Sequence, residues 1–512
     1  MRTLRLPQRE VPGCGERRRA PHDARDHDPL ATRIDGRAVI GGERVASASG
    51  ETFVTINPAT GEALAEVAKG GASDVDRAVA AARAAFESGA WSRRDAADRG
   101  AVLRRLADLI EHHAEELALL ESLDMGKPLS QTSAVDVPGT AATFRWYGEL
   151  ADKLTDEVPS TPPGSTAIVN RVALGVVAAI VPWNYPLDIA AWKLAPALVA
   201  GNSVVLKPAE TTSLTALRLG ELALEAGIPA GVLNVVPGPG SVIGRALGLH
   251  PDVDALTFTG STAVAKKLLT YAGESNMKRL SLEAGGKSSN LIFADVEDLA
   301  PAAEKAAFGA FYNQGEVCSA NSRIFVERPV YDEFLGLLTT AAEAYRSGDP
   351  LDPGSGNGAL VSESHADGVA AAIEAAARDG ELIGGERVRR QGSTAFIDPA
   401  IVAGLPLSHA LHRDEVFGPL VVVQAFDHED DAVRAANATD YGLAASLWTS
   451  SLSRAHRVSE RLVAGTVSVN TVDALGSTTP FGGFKQSGFG RDLSRHAIDN
   501  YVGLKTTWFQ HA

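Results

Sequence analysis

From residue 172 onward the chain alternates two kinds of apolar pattern. Short, largely apolar strand candidates fall at 172–181, 203–206, 232–236, 255–258 and 279–282. Between them apolar residues recur at helical spacing around 190–199, 214–225, 242–249 and 263–271. Apolar runs of this length read as strands buried on both faces, and the 3.6-residue period reads as helices packed over them. Strand and helix in alternation predict βαβ units and a parallel sheet. A second series, with strands at 290–293, 323–326 and 420–426, predicts another unit of the same kind, so the expected fold class is α/β. Upstream, 53–56 is strand-like and ends in Asn-Pro and Thr-Gly turn signals. Ser73 is placed to cap a helix over 75–86, and Leu103, Leu106, Ile110 and Leu117 carry one helix as far as Glu121. No repeat at solenoid spacing and no long Gly/Ser or Pro linker interrupts the pattern, so the units are expected to pack closely.

The first 30 residues break the pattern. They mix arginines, prolines and acids without an apolar period, which predicts a disordered tail. They lack the apolar core of a secretory signal and carry too many acids for a mitochondrial transit peptide. The longest apolar run stops at Pro182, well short of the ~20 residues a membrane helix needs. The 512 residues allow about three domain-sized units of about 150 residues each. Lys and Arg number 48 against 63 acids, a net charge of −15, which argues against a nucleic-acid or anionic-membrane partner. The two cysteines, Cys14 in the tail and Cys318, cannot form a disulfide framework and fit a reducing, cytoplasmic setting.

Candidate chemistry emerges by elimination. His112 and His113 stand in EHHAEE rather than HExxH, so no zinc site is expected there. Gly286, Lys287 and Ser288 resemble the end of a phosphate loop, but Ser281 stands where the motif needs its first Gly. No GxSxG nucleophile elbow is present. Gly238, Gly240 and Gly244 follow a strand at a spacing one residue longer than the dinucleotide fingerprint, a weak signal that still suits backbone approach to a phosphate. Four polar motifs are then expected at the C-terminal ends of successive strands, where open α/β sheets hold ligands. PWNYP carries Asn184, KPAE carries Lys207 and Glu210, SLEAGGKSS carries Glu283, and FYNQGEVCSA carries Cys318 among Asn313, Gln314, Gly315 and Glu316. Those neighbours do not look like a core strand, which sets Cys318 apart from an ordinary buried thiol.

In order, PWNYP, KPAE, FTGST, LEAGGKS, NQGEVCSA, DEVFGP and PFGGFKQSGFGR resemble the NAD(P)-dependent aldehyde dehydrogenase superfamily over residue 35 to the C-terminus. GESNMKRLSLEAGGKSS, FYNQGEVCSA and LSRAHRVS resemble more narrowly the γ-glutamyl-γ-aminobutyraldehyde dehydrogenases of putrescine breakdown. The resemblance implies two Rossmann-like parallel-sheet domains and a small β oligomerisation element. An NAD-binding domain would span 31–150 and 170–285, and a catalytic domain 286–480. Segments 151–169 and 496–512, with a hairpin near 152–169 and a strand near 504–509, would join copies into a homodimer or homotetramer. It implies Cys318 as nucleophile, Asn184 with the Cys318 N–H as oxyanion hole, and Glu283 as the base that activates water. Lys193 and Asp492 match a pair that would pass protons outward. Val181, Trp183, Lys207, Glu210, Gly240, Gly260, Ser261, Glu415 and Phe417 would hold NAD, with NADP weaker because Glu210 repels a 2′-phosphate.

Three residues depart from the family pattern: Ala265 for Gly, Glu316 for Gln and Asp492 for Glu. Glu316 is expected to raise the Cys318 pKa. The resemblance implies that Tyr185, Asp188 and Trp192, on the helix after Asn184, would face the substrate tunnel and that Asp473 would fall at its mouth. Two acids and aromatic rings suit a cationic tail such as that of 4-aminobutyraldehyde, although Asp188 also suits the helix dipole on its own. The readings in play are therefore an aminoaldehyde dehydrogenase, a betaine-aldehyde or broad aliphatic aldehyde dehydrogenase, and a catalytically silent binding protein.

Overall fold

The computed structural model describes residues 35–511, so the expected tail and Cys14 lie outside the described residues. The apolar runs do form two sheets. In the first, five parallel strands lie in the order Leu233–Val235, Ser203–Lys207, Val176–Ile180, Ala255–Thr259, Arg279–Glu283. Their spatial order is third, second, first, fourth, fifth along the chain, with helices crossing between successive strands. The order reverses at Val176–Ile180, and such a reversal opens a crevice at the carboxyl ends of the strands. Short antiparallel strands cover both edges: Ala38–Ile40 with Glu43–Val45 on one side, Gly488–Phe489 on the other.

The second sheet runs Glu381–Gly384, Ala400–Ala403, Leu420–Phe426, Arg323–Glu327, Ser289–Ile292, Ala444–Trp448, Thr466–Val469, parallel except for its first strand. The inner strands of both sheets are buried on two faces. The helix Pro186–Val199 is buried almost throughout, which is why its sequence shows little polar face. Ala265 is 5 % exposed and packs with Leu268 against the first sheet, so the contact accepts its methyl group.

Four expectations need correction. The run 172–181 is not one strand. Ser165–Ala173 leaves the sheet to pair with the C-terminal Val502–Gln510, and the chain restarts at Val176–Ile180 after Gly175, whose φ of 135° only glycine accepts readily. For the same reason 152–169 is no closed hairpin: Glu157 and Val169 form a single bridge. The first long helix begins at Ala72, with Gly71 as its cap and Asp74 Oδ2 accepting the Gly71 N–H at 2.8 Å, so Ser73 lies inside it. The helix expected through Glu121 is two, Ala96–His112 and Ala114–Met125, broken at His113, whose ring meets Glu116 at 2.8 Å. No helix among the described residues is long and apolar enough to cross a membrane.

Candidate active site

Each parallel strand of the first sheet except Leu233–Val235 runs directly into a segment that carries site residues, and that strand leads to Gly240. Val181 follows Val176–Ile180, and its N–H donates to the Lys207 carbonyl at 3.1 Å. Trp183, Asn184 and Tyr185 form the bend before Pro186 opens the next helix. Lys207 ends its own strand and is buried, which pushes its amine down to about 8 against the opposing charge of Glu210. Glu210 is exposed. Gly240 opens the helix Gly240–Leu249, and a Cβ there would stand 3.6 Å from Lys207 Nζ. Gly260 donates its N–H to the Glu283 carbonyl at 3.0 Å, and Ser261 caps Thr262–Glu274. A bare glycine beside a buried amine, and two helix N-termini at the same sheet edge, fit a dinucleotide's pyrophosphate and ribose.

The second unit supplies the other wall. Glu415 Oε1 accepts the Gly286 N–H at 2.9 Å, and burial pushes its carboxyl up to about 7 while that bond and Lys287 oppose the shift. Phe417 sits at φ 60°. Trp183 meets the Phe417 ring edge-on at 5.2 Å and the His365 ring at 5.4 Å, while His365 Nε2 donates to the Phe417 carbonyl at 2.7 Å. His365 carried no motif that would have marked it in the sequence.

Cys318 is held by an unusual turn. Asn313 and Gln314 adopt left-handed φ of 50° and 54°, and Gly315 follows at 69°. Asn184 Nδ2 donates to the Glu316 carbonyl at 2.8 Å, and Asn313 Nδ2 donates to the Asn184 carbonyl at 3.0 Å. An amide carries two N–H donors, so one remains for a developing oxyanion. Burial pushes the Cys318 thiol well above its ordinary value, and the charges of Asp473, Glu415 and Glu283 add to the shift. A thiol so placed needs a base before it can attack. Glu316 is not the source of that shift, contrary to expectation. Its side chain turns away, with Oε1 accepting the Val361 N–H at 3.1 Å and Oε2 facing Gln314 Nε2 at 3.4 Å.

A cavity of about 330 Å³ brings Cys318 together with Glu283, Tyr185, Asp188, Trp192 and Asp473. Asn184 and Lys193 are buried behind its wall. Glu283 is 2 % exposed, and neither carboxyl oxygen has a partner among the described residues. Burial pushes it well above the usual carboxylate range, the charge of Asp492 adds, and Lys193 and Arg491 oppose. Lys193 Nζ contacts Asp492 Oδ2 at 2.5 Å. Asp473 stands at φ 46°, and its Oδ1 accepts the Ser319 hydroxyl at 2.7 Å, one residue beyond Cys318. Phe308, Tyr312, Val317 and Phe481 complete the apolar wall. Phe308 and Tyr312 lie four apart, a spacing that could have flagged them.

A cysteine and a buried carboxyl share one cavity, with the Asn184 amide behind its wall and the carboxyl ends of the first sheet's strands beside it. The aldehyde dehydrogenase family model matches residues 45–507, and the chain belongs to that family. It is 49 % identical to the aminoacetaldehyde dehydrogenase of Pseudomonas aeruginosa, over 94 % of this chain and 98 % of that protein. Its structure matches the γ-glutamyl-γ-aminobutyraldehyde dehydrogenase of Burkholderia cenocepacia with a TM-score of 0.93 at 48 % identity, covering 95 % of this chain and 99 % of that one. It matches P. syringae AldA, an indole-3-acetaldehyde dehydrogenase solved with NAD+ and IAA, with a TM-score of 0.93 at 51 % identity and the same coverage.

Proposed function

We propose that this aldehyde dehydrogenase converts aminoaldehydes, free or N-acylated, to the corresponding amino acids or N-acylamino acids, by the balance RCHO + NAD+ + H2O → RCOO− + NADH + 2 H+. The observation that carries the substrate class is a cavity that holds, besides Glu283 and Asp492, two further acids, Asp188 and Asp473, together with Cys318. Similarity to dehydrogenases of aminoacetaldehyde and γ-glutamyl-γ-aminobutyraldehyde supports it. Cys318 Sγ adds to the carbonyl carbon after losing its proton to Glu283, and the Asn184 amide and Cys318 N–H stabilise the oxyanion. NAD, when bound, supplies the acceptor for the hydride that leaves this carbon. Once Glu283 has released the thiol proton to solvent, its carboxylate takes a proton from the water that attacks the Cys318 thioester, and the second water proton returns to the leaving thiolate as carboxylate forms. Lys193 and Asp492 lie where they can relay that proton. Lys207, Glu210, Gly240 and Ser261 hold the adenosine and pyrophosphate, Val181, Trp183, Gly260, Glu415 and Phe417 the nicotinamide side, and Glu210 sets a preference for NAD. The exposed ribbon with Leu504, Trp508 and Phe509 supports a second copy as its cover. The reading includes a cytoplasmic setting, where Cys318 stays reduced. A panel of aldehydes with NAD, followed by absorbance of the reduced cofactor, tests it: aminoaldehydes should lead, and a lead by indole-3-acetaldehyde or betaine aldehyde would refute the substrate class.

A further inference from the structure

One wall of the aldehyde cavity rests on a buried charge cluster. Glu121 belongs to Ala114–Met125, and Lys127 follows it. Asp136 ends a π-helical turn, Thr132–Asp136, a rare geometry that is frequent at functional sites. Asp188 lies in the first turn of Pro186–Val199. Glu121, Lys127 and Asp136 are fully buried, and Asp188 is 8 % exposed.

The charges can be accounted for group by group. Lys127 Nζ donates to both Asp136 oxygens, at 2.8 and 2.7 Å, so its charge is committed. The same ammonium lies 3.6 Å from the centre of the Tyr185 ring and covers one face of it. Glu121 Oε2 accepts the Leu187 N–H at 3.2 Å. Burial and then the Asp136 charge hold its carboxyl well above the usual range, and its Oε1 has no partner among the described residues. Asp188 is left without a cation. It lines the cavity, and its buried Oδ1 has no partner among the described residues. Space exists in front of it because position 139 is glycine: a Cβ there would stand 3.2 Å from Oδ1.

We propose that Asp188 Oδ1 receives a primary ammonium at the far end of the aldehyde, and that the arriving tail displaces the Asp188 proton to solvent. This subsite rests on the aminoaldehyde reading above. In the step, the neutral Asp188 carboxyl meets the alkylammonium tail, a carboxylate–ammonium pair forms, and one proton leaves to water, so the total charge of +1 is conserved. A buried acceptor without a partner selects a donor of N–H bonds. A quaternary ammonium has none, and it needs open aromatic faces, one of which Lys127 already covers at Tyr185.

Burial pushes Asp188 up to about 8, the charge of Asp136 adds to this, and Lys127 and the Trp192 indole oppose it. Tyr312 and Asp473 also face the cavity. Free Asp188 is therefore mostly protonated at pH 7. Its ionised fraction climbs from about one tenth to about nine tenths by pH 9, while an aliphatic ammonium stays charged. Dividing kcat/KM for 3-aminopropionaldehyde by that for butyraldehyde, its isostere, cancels the titration of Cys318 and Glu283. The experiment measures this ratio from pH 6.5 to 9, with 3-(trimethylammonio)propionaldehyde as a third substrate. In the wild type the ratio should rise about tenfold between pH 7 and pH 9, and the quaternary aldehyde should trail the primary one at least tenfold at pH 9. Asp188→Asn should flatten the pH dependence and bring the ratio near one. Where that variant does not fold, the wild-type series decides alone. A wild-type ratio independent of pH, or equal use of the quaternary aldehyde, overturns the subsite while the aldehyde reading stands. Failure to oxidise butyraldehyde and 3-aminopropionaldehyde alike overturns both.

Discussion

Glu283→Gln separates the two halves of the reaction. The glutamine keeps the volume of a side chain that is 2 % exposed and that accepts no hydrogen bond among the described residues, so no native bond is lost. It also removes a buried acid that the charge of Asp492 opposes, and fold stability should change little. The kinetic effect can then be assigned to the base. Losing a general base typically slows its step about 10²–10⁴-fold, equivalent to about 3–5 kcal/mol of transition-state stabilisation. Only thioester hydrolysis needs water activated, so the first turnover should survive in part. In a stopped-flow assay with saturating NAD and 3-aminopropionaldehyde, the variant should show a burst of reduced cofactor approaching one per site. A steady rate lower by those factors should follow. The proposed role makes the ionised Glu283 the active form, and burial holds its carboxyl high, so wild-type kcat should rise with pH through that titration and the variant should lack this limb. An unchanged steady rate at neutral pH would refute the role. A reduced rate with no burst would move the function of Glu283 to thiol activation alone.

Cys318→Ala should abolish dehydrogenase activity while calorimetry still shows NAD binding; substantial turnover by the folded variant would exclude Cys318 as nucleophile. Glu210→Gln should shift the NAD/NADP ratio of kcat/KM towards NADP, and an unmoved ratio would remove Glu210 from cofactor choice. Lys127→Met leaves Asp136 buried without its cation, which costs about 3–5 kcal/mol when a buried pair is broken from one side. Urea denaturation should show the loss as a lower midpoint, and an unchanged midpoint would mean that Asp136 is neutral in the native protein.

Much of this architecture is legible in the chain because buried parallel strands read as apolar runs. Leu420–Phe426 is one such case, and the motifs at the strand ends mark the crevice. The misreadings share a cause: apolar pattern reports burial, not pairing. Val172 and Val176 are both apolar, but the first pairs with the C-terminal strand and the second with Ser203–Lys207. The break at His113 and the cap at Gly71 depend on backbone geometry that no periodicity encodes. Residue type placed Glu316 beside the thiol, whereas the left-handed turn at Asn313 and Gln314 sends its carboxyl to Val361. The cluster of Glu121, Lys127 and Asp136 was invisible because buried ion pairs follow no period. It becomes apparent only where the π-helical turn brings Asp136 against Lys127.

The account turns on a covalent acyl group at Cys318 derived from an aminoaldehyde. Glu283→Gln, mixed with NAD and 3-aminopropionaldehyde and quenched in acid within the burst, should carry the added mass of a 3-aminopropionyl group. Peptide mass spectrometry should place it on Cys318. No adduct, or an adduct on another residue while reduced cofactor accumulates, would contradict the mechanism.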